Sequence, residues 1–298
     1  MELSPLHAPT EKRPLSESTQ GWLHPTHPLM GTQGRVRIRS HFTISDWLLM
    51  GGLLQSIIVL LLPIRTAYAL LPTFGLAIFK VTRLILKIYG VVENPLMKDV
   101  NHGRLCAVFP PAEMGEKGMV RPVGESVGGE EMCVFLLSNR CNHPLGLFHS
   151  KFREMGMYAK EMYKELEMNP VENGFLGYSD YSSNNANTQP HSLSIMYFKS
   201  IDHVHRWAHG SSAHRAAWEW WDAEQKAGRV DHLTIAHEIY GVEKGKWENI
   251  YVNAKPYDFA ATSHAITDAG GRRLWMCPAM DASKSFRTSA QRLGNVRG

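Results

Sequence analysis

SLSIMYF (residues 192–198) and LTIAHEIYGV (residues 233–242) are two apolar runs of strand length, and a helical stretch separates them. Their length and their content of β-branched and aromatic residues predict two buried strands. Between them, Ser200 is suited to cap a first helix, which Gly210 ends. A second helix is predicted over residues 212–227. This part of the chain therefore predicts the order strand, helix, helix, strand.

A related pattern lies directly upstream. Residues 133–138 (CVFLLS) form an apolar run with polar flanks and predict a strand. Residues 149–167 carry apolar side chains at three- and four-residue spacing, which is typical of an amphipathic helix. Residues 175–178 predict another short strand. Together these segments predict an α+β domain with the ferredoxin-like order β-α-β-β-α-β over residues 131–255.

The predicted strands are apolar on both faces. In residues 133–138, Phe135 and Leu137 lie on one face and Val134 and Leu136 on the other. Helices can cover only one face of such a sheet, so we expect a second copy of the chain to cover the other. That homodimer would close a dimeric α/β barrel. The alternative is that the apolar N-terminal segment or the C-terminal tail covers the second face.

Length and composition bound the class of protein. The chain has 298 residues, of which 44% are hydrophobic and 20% charged, and this predicts one or two globular domains. The net charge of +4 is small and dispersed, so we expect no nucleic-acid partner. The four cysteines form no C-x-x-C pair and are typical of free thiols in a reducing compartment.

The composition changes abruptly in residues 41–90. Between Trp47 and Phe79 the only charged residue is Arg65. A first apolar run of about 18 residues reaches the lower limit of a membrane-spanning helix. A second, shorter run continues into a basic amphipathic helix. We expect a membrane anchor, either a single span or a tight hairpin, with the endoplasmic reticulum as the compartment.

Two points about this anchor stay open in the sequence. A buried helix pair in a soluble protein is the alternative to a membrane segment. Basic residues also flank both ends of the apolar region, so the orientation in the membrane is ambiguous.

The remaining segments carry weaker patterns. Residues 1–40 lack long apolar runs and predict a mobile N-terminal arm. Residues 91–130 are punctuated by glycine and proline and predict a connector with one short strand near 105–109. Residues 256–298 predict a C-terminal tail with a basic end.

Histidine is abundant between residues 200 and 240. His205 and His209 have the i, i+4 spacing of a helical metal site, but they lack an H-E-x-x-H motif, so a solvated pair is favoured. His214 begins an aromatic helix, and His237 lies in the middle of an apolar strand, where it requires a hydrogen-bond partner. A satisfied core histidine is the alternative for His237. The sequence contains no G-x-S-x-G and no phosphate-binding glycine loop.

Residues 192–252 are similar to the C-terminal repeat of haem-containing aldoxime dehydratases. The similarity rests on RWA at residues 206–208, on the following His214, and on HE at residues 237–238. Residues 131–255 also resemble fungal proteins of the antibiotic-biosynthesis-monooxygenase type, which belong to the dimeric α/β-barrel superfamily. The dehydratases carry two ferredoxin-like repeats, whereas this chain shows one.

The resemblance implies a site. His214 falls where the dehydratases have their proximal ligand, which implies haem as cofactor and His214 as its iron ligand. His237 and Glu238 fall on a functional pocket histidine and the glutamate after it, which implies an acid–base role. Relatives in the superfamily that need no cofactor imply a site without haem. The aromatic side chains expected to line an apolar substrate pocket are Tyr197, Trp207, Trp218 and Trp221.

These expectations favour a membrane-associated monooxygenase. Its substrate would be a lipophilic small molecule, a terpenoid or polyketide intermediate of fungal secondary metabolism. One alternative is a haem-dependent dehydratase or lyase that binds a nitrogen-containing substrate. Another is a non-catalytic protein that binds a ligand or scaffolds a membrane enzyme. The expected partners are the lipophilic substrate, the membrane and a second copy of the chain.

Overall fold

The structure is a computed structural model that describes residues 5–16, 19, 38–39, 41–62, 65–110, 126–182 and 191–294. The chain divides into two compact units. We call the unit formed by 1–41 and 101–298 the sheet unit, and the unit formed by 42–100 the helical hairpin. Much of the predicted N-terminal arm, and part of the predicted connector, lie outside the described residues.

The helical hairpin contains two helices, α1 (Ile44–Leu61) and α2 (Thr66–Ile88). Thr43 and Asp46 form a capping box at the start of α1, which satisfies backbone donors that the first turn leaves unpaired. Both helices are long and apolar enough to cross a membrane by length and composition. The structure thus contains the apolar helical segment that the sequence predicts ahead of the sheet domain.

One polar contact joins the two helices. The side-chain amide of Gln55 donates to the backbone carbonyl of Ala69, and its oxygen accepts from the hydroxyl of Thr73, at 3.1 Å in each case. No residue of α1 is buried, and large apolar side chains such as Leu60 (81% exposed) point outward. The polar side chains of Gln55 and Thr73 are therefore hydrogen-bonded between the two helices, and the hairpin presents an apolar exterior.

The sheet unit combines a four-stranded sheet with smaller sheets. In chain order its elements are β1 (Asn101–Ala107), β2 (Met132–Cys141), α3 (Ser150–Met168), β3 (Phe175–Ser182), β4 (His191–Phe198), α4 (Ile201–Gly210), α5 (Ser212–Lys226), β5 (Leu233–Val242), β6 (Tyr251–Ala254), β7 (His264–Thr267), β8 (Arg273–Met276), β9 (Ala279–Asp281) and α6 (Ser289–Arg292).

Strands β2 to β5 form an antiparallel sheet in the order β3-β4-β2-β5. Helix α3 connects β2 to β3, and helices α4 and α5 connect β4 to β5. This is the ferredoxin-like β-α-β-β-α-β arrangement, so the predicted fold class is confirmed. β5 pairs with β2 over their whole lengths and forms one edge of the sheet.

Helices pack on one face of this sheet. Alternate residues of each strand reach this face because side chains in a strand point to opposite sides. The buried cluster between the sheet and the helices contains Cys133, Phe135, Tyr163, Leu166, Phe175, Tyr178, Met196, Phe198, Val204 and Trp207. Phe198 is fully buried and contacts the rings of Phe135, Phe175 and Trp207.

The opposite face of the sheet packs against other parts of the same chain. Strand β1 pairs with β6 and β9 in a three-stranded sheet. A second cluster joins Leu105 of β1 and Phe259 with Leu176 and Tyr197 of the four-stranded sheet. The predicted alternative, in which the C-terminal tail covers this face, therefore describes part of it. The segment predicted as a connector supplies β1 to the same cluster.

The C-terminal residues build a further small core. The hairpin of β7 and β8 packs with β1 and β9 around Cys106, Ile266, Met276 and Met280, all buried. Residues 256–298 thus contribute strands and core side chains, which their weak sequence pattern did not indicate.

The described part of the N-terminal arm is packed rather than mobile. Leu6 and Thr10 donate backbone hydrogen bonds to the carbonyls of Ala279 and Trp275, at 2.9 Å each. Arg13 forms a buried ion pair with Glu167 and lies 5.6 Å from the centroid of the Phe175 ring. Burial lowers the pKa of Arg13 to about 10. A charge is retained there because a carboxylate and an aromatic face compensate it.

Candidate active site

His214 lies in the first turn of α5. Ser211, the residue before this helix, forms its N-terminal cap. The hydroxyl of Ser211 accepts the backbone N–H of His214 at 2.9 Å. The imidazole hydrogen-bonds to the backbone carbonyl of Ala208. Burial lowers the pKa of His214, and nearby His209 and His237 add to the effect. At neutral pH the ring is therefore uncharged, with one nitrogen held by a carbonyl and the lone pair of the other available.

Trp207 lies beside His214, with ring centroids 5.5 Å apart. Only 6% of Trp207 is exposed, because it packs in the cluster between the sheet and the helices. Its indole N–H is buried and has no hydrogen-bond partner among the described residues. An unpaired buried donor costs free energy, so it is a feature of a site that a bound group can complete.

His237 lies on β5, on the helix side of the sheet. Its ring meets that of Phe135 edge to face, with centroids 5.7 Å apart. The position is exposed, because β5 is an edge strand. A row of ring contacts through Phe135, Phe198 and Trp207 links His237 to His214 along the helix side of the sheet. Two histidines that are more than twenty residues apart in the sequence thus lie on the same side of the sheet.

One stripe of α5 carries three ring side chains. His214, Trp218 and Trp221 recur at four- and three-residue spacing and share a helix face. Trp221 packs against a cluster that contains Leu233, the first residue of β5. Between the two ends, Trp218 is 62% exposed and Ile235 of β5 is 44% exposed.

We call this surface the α5–β5 face; it consists of His214, Trp218, Trp221, Ile235 and His237. It stays open because α5 is anchored elsewhere. The indole of Trp220 donates to Glu154 of α3 at 3.1 Å, and its ring packs on Tyr158. Trp218 and Ile235 of the α5–β5 face therefore stay exposed among the described residues, whereas Trp221 is partly buried.

The structure separates two predicted site residues from this face. Glu238 follows His237 in a strand, so its side chain points to the opposite side of the sheet, where it accepts from the hydroxyl of Tyr240. Tyr197 also lies on that opposite side, in the cluster with Phe259. Burial raises the pKa of Tyr197. Alternation along a strand, which sequence similarity alone does not report, accounts for both positions.

The residues beside His214 fit the group that the sequence similarity implies. A neutral imidazole with one nitrogen bonded to a backbone carbonyl is the usual donor for haem iron. The unpaired N–H of Trp207 is also suited to an acceptor on such a group. The exposed side chains of Trp218 and Ile235 are suited to a large, flat, mainly apolar surface. Within the described ranges, no group of three or more His, Cys, Asp or Glu side chains is arranged to hold a metal ion.

The sequence analysis did not identify a cluster of three histidines. His143, His149 and His232 have ring centroids 4.2–5.1 Å apart, and His232 and His149 share a hydrogen bond of 3.1 Å. Burial and the neighbouring histidines lower the pKa of His149. The pairing of β2 with β5 brings these positions together. The spacing of His143 and His149 was the only signal available in the sequence.

A cavity of about 260 Å³ lies at the other end of β5. It is lined by Glu131, Asp202 and Glu243 together with the first residues of α4. None of the predicted site residues reaches it, so the cavity and the α5–β5 face are separate features of the sheet unit.

A ferredoxin-like domain with two histidines on the helix side of its sheet is the class that this geometry defines. Residues 132–259, which contain that domain, match the family model described as Monooxygenase af470-like. The chain is 27% identical over 254 residues to monooxygenase af470 of Aspergillus fumigatus. That match covers 85% of this chain and 83% of the relative. The predicted similarity to fungal monooxygenase-type proteins is thereby confirmed.

Solved structures share parts of the fold. A crystal structure of an aldoxime dehydratase in complex with butyraldoxime matches with a TM-score of 0.36 and 16% identity over 53% of this chain. The match spans 39% of the dehydratase chain, less than half of its length. SnoaB of Streptomyces nogalater, a cofactor-independent oxygenase, matches with a TM-score of 0.22 and 11% identity over 37% of this chain and 90% of its own. These likenesses concern the fold alone.

Proposed function

We propose that the protein is a membrane-associated monooxygenase that oxidises a lipophilic small molecule. The observation that carries the proposal is the position of His214 and His237 on the helix side of the sheet, where they contact Trp207 and Phe135, inside the segment that matches the monooxygenase family model. Two imidazoles near an apolar surface supply both a ligand and a proton-transfer group, which are the functions that an oxygenase site requires.

His214 and Trp207 hold the cofactor in this proposal. His214 would bind haem iron through its free nitrogen, and the Ala208 carbonyl would fix the orientation of the ring. The unpaired N–H of Trp207 would donate to an acceptor on the bound group. Haem, when bound, supplies the centre at which oxygen is activated.

His237 moves the proton. Its exposed imidazole would take a proton from the substrate, or return one to the product, within hydrogen-bond reach. The same role serves a reaction that uses no cofactor, because removal of an acidic substrate proton makes a carbon atom reactive toward oxygen. Glu238 is left out of this step, since its side chain points to the opposite side of the sheet.

The substrate is lipophilic, of the terpenoid or polyketide kind. The exposed side chains of Trp218 and Ile235 offer an apolar surface without a charged anchor for a polar substrate. The helical hairpin supports the same proposal, because an anchored enzyme meets molecules that partition into a membrane. The endoplasmic reticulum is the compartment that we propose.

We also propose a homodimer. β5 is an unpaired edge, and on its other face Thr234, Ala236, Glu238 and Tyr240 are exposed. A second copy would cover this strip, since a long exposed edge strand otherwise invites aggregation. The molecular mass of the purified protein in detergent, measured by light scattering, tests this part. A monomer at micromolar concentration would contradict it.

An absorption spectrum tests the function. Protein from haem-supplemented cells is purified in detergent as wild type, His214→Ala and the control His209→Ala, which changes an exposed histidine of α4. We expect a Soret band in the wild type and the control, and its loss in His214→Ala. Oxygen uptake with a panel of terpenoids and polyketides then tests the reaction.

The outcomes separate the alternatives. Oxygen uptake without a Soret band, abolished by His237→Gln, would replace haem with the cofactor-independent reaction. A haem-loaded protein that converts an aldoxime without consuming oxygen would favour a dehydratase. Oxygen uptake that is unchanged in both His214→Ala and His237→Gln would overturn the proposed site.

A further inference from the structure

The sheet unit is discontinuous in the sequence. Its N-terminal portion ends at residue 41 and its main portion begins at residue 101, so the helical hairpin is an insertion into it. The N-terminal portion is held firmly, because Thr10 and Trp275 exchange backbone hydrogen bonds of 2.9 and 2.8 Å. The buried ion pair of Arg13 with Glu167 adds a second attachment.

An insertion of this kind restricts how the chain can cross a bilayer. Both ends of the hairpin join one folded unit, and one folded unit lies on one side of a membrane. The inserted segment must therefore cross an even number of times. A single span through residues 42–100, one of the two forms predicted from the sequence, would place Thr10 and its partner Trp275 on opposite sides.

The helices have lengths suited to two crossings. The 18 residues of α1 span about 27 Å at 1.5 Å per residue. That length equals the hydrocarbon thickness of a thin bilayer such as that of the endoplasmic reticulum, about 27 Å. α2 has 23 residues, of which the 14 from Thr66 to Phe79 precede the first charge and span about 21 Å. Its last turns carry Lys80, Arg83 and Lys87 on one side of the helix, and such long side chains reach the headgroups from within the hydrocarbon region.

The charges lie at the two ends of the hairpin. The contact of Gln55 with Thr73 marks one level of the hairpin. Along α1, Asp46 precedes Gln55 by about 14 Å, and along α2, Lys80 follows Thr73 by about 11 Å. The two charged positions therefore share one level, the base of the hairpin. Arg65 is the charged residue at the tip. Between the tip and the base, the side-chain amide of Gln55 donates to the backbone carbonyl of Ala69 and so pairs the polar groups there.

The positions of the basic residues along the hairpin favour one orientation in the membrane, which the sequence alone left open. Arg39, which precedes the hairpin, and Lys80, Arg83 and Lys87, which return to its base, all fall on the same side as the sheet unit. Arg65 is the only charged residue at the tip. Lysine and arginine are enriched on the cytoplasmic side of membrane segments. The free cysteines of the sheet unit agree with that side, because thiols persist in the reducing cytosol.

We propose that residues 42–100 cross the bilayer twice as a hairpin, with the whole sheet unit on the cytoplasmic face and Arg65 at the opposite surface. This inference rests on the membrane association in the proposed function and adds its topology. The partner of the hairpin is a bilayer whose cytoplasmic headgroups are anionic, because Lys80, Arg83 and Lys87 would lie among them.

Cysteine accessibility in intact microsomes tests the topology. Single cysteines are introduced as Glu11→Cys, before the two helices in the sequence, as Lys98→Cys, after them, and as Arg65→Cys at the tip. Leu62→Cys probes the same tip with Arg65 intact. The unchanged protein gives the background of the native thiols, three of which are buried. A membrane-impermeant maleimide is added before and after the vesicles are opened with detergent.

We expect Glu11→Cys and Lys98→Cys to be labelled in intact vesicles, and both tip variants to be labelled at least tenfold more after opening. Opposite behaviour of Glu11→Cys and Lys98→Cys would indicate a single span. Tip labelling in intact vesicles would indicate a hairpin that does not cross, or, if Glu11→Cys and Lys98→Cys become protected, the reverse orientation. Each of these results overturns the proposal. Release of the protein by alkaline carbonate would refute the membrane association itself, which is a separate result.

Discussion

Strands β2 and β5 are neighbours that pair along ten residues, yet the chain uses them differently. β2 lies inside the sheet, where Cys133 and Phe135 are buried beneath the helices. β5 lies at the edge, where Ile235 and His237 are exposed on the same helix side. The comparison teaches that the buried strands supply stability, whereas the edge strand is free to carry the side chains of a binding face.

The largest effect should come from the buried side of this comparison. Phe198→Ala removes a fully buried ring that packs on Phe135 and Trp207, so we expect a loss of about 3–5 kcal/mol in the free energy of unfolding. Ile235→Ala on β5 is the control and should cost about 0.5 kcal/mol, because the side chain is 44% exposed. Denaturant unfolding in detergent measures both. Equal losses would show that β5 is covered in solution.

The next effect concerns adjacent residues on β5. His237→Gln should lower turnover by about 100-fold, the lower end of what acid–base groups contribute, with little change in stability because the position is exposed. Glu238→Gln should lower turnover less than threefold, since its side chain points away from the α5–β5 face. Steady-state oxygen uptake compares the two. A larger loss in Glu238→Gln would place the chemistry on the opposite side of the sheet.

A pH effect should come from a buried histidine of the sheet unit. Burial lowers the pKa of His264 from 6.5 to about 3. Below pH 6.5 the unfolded chain binds a proton there that the folded chain does not, so acid lowers the free energy of unfolding. The loss approaches about 1.4 kcal/mol per pH unit between about 6.5 and 3.

The test compares His264→Gln with the wild type. Unfolding measured at pH 7.5 and pH 5 should show a weaker acid dependence in His264→Gln, because the proton difference has been removed. If the variant and the wild type respond alike, the buried environment of His264 does not persist in solution.

The smallest effect should come from the exposed hydrogen bond on β5. Tyr240→Phe removes the hydroxyl that Glu238 accepts, and both side chains are exposed. We expect a change of about 0.5 kcal/mol or less in the free energy of unfolding. A loss above 2 kcal/mol would mean that the outer face of β5 is buried, as in a homodimer, and would sharpen that proposal.

The sequence was sufficient for the ferredoxin-like core. The runs at 133–138, 192–198 and 233–242 became β2, β4 and β5, because apolar runs of that length have few other ways to be buried. It was insufficient for the smaller sheets. β7, β8 and β9 have three or four residues each, too few to show a period, and the partner of β9 is the distant strand β1.

The candidate site was predictable only in part. Similarity selected His214 and His237, and the structure places both on the helix side of the sheet. Similarity also selected Glu238, and the aromatic composition selected Tyr197; the alternation of strand side chains carries both to the opposite face. The cluster of His143, His149 and His232 depends on strand register, which no single stretch of sequence encodes.

The attachment of residues 5–16 to β8 and β9 has a consequence for biosynthesis. Thr10 leaves the ribosome long before its partner Trp275. Contacts of such long sequence separation form late, because most of the chain must be ordered before they can close. The helical hairpin will already have been translated by then. In the proposed topology, membrane insertion therefore precedes closure of the sheet unit, and a chain truncated before β8 would lack that closure.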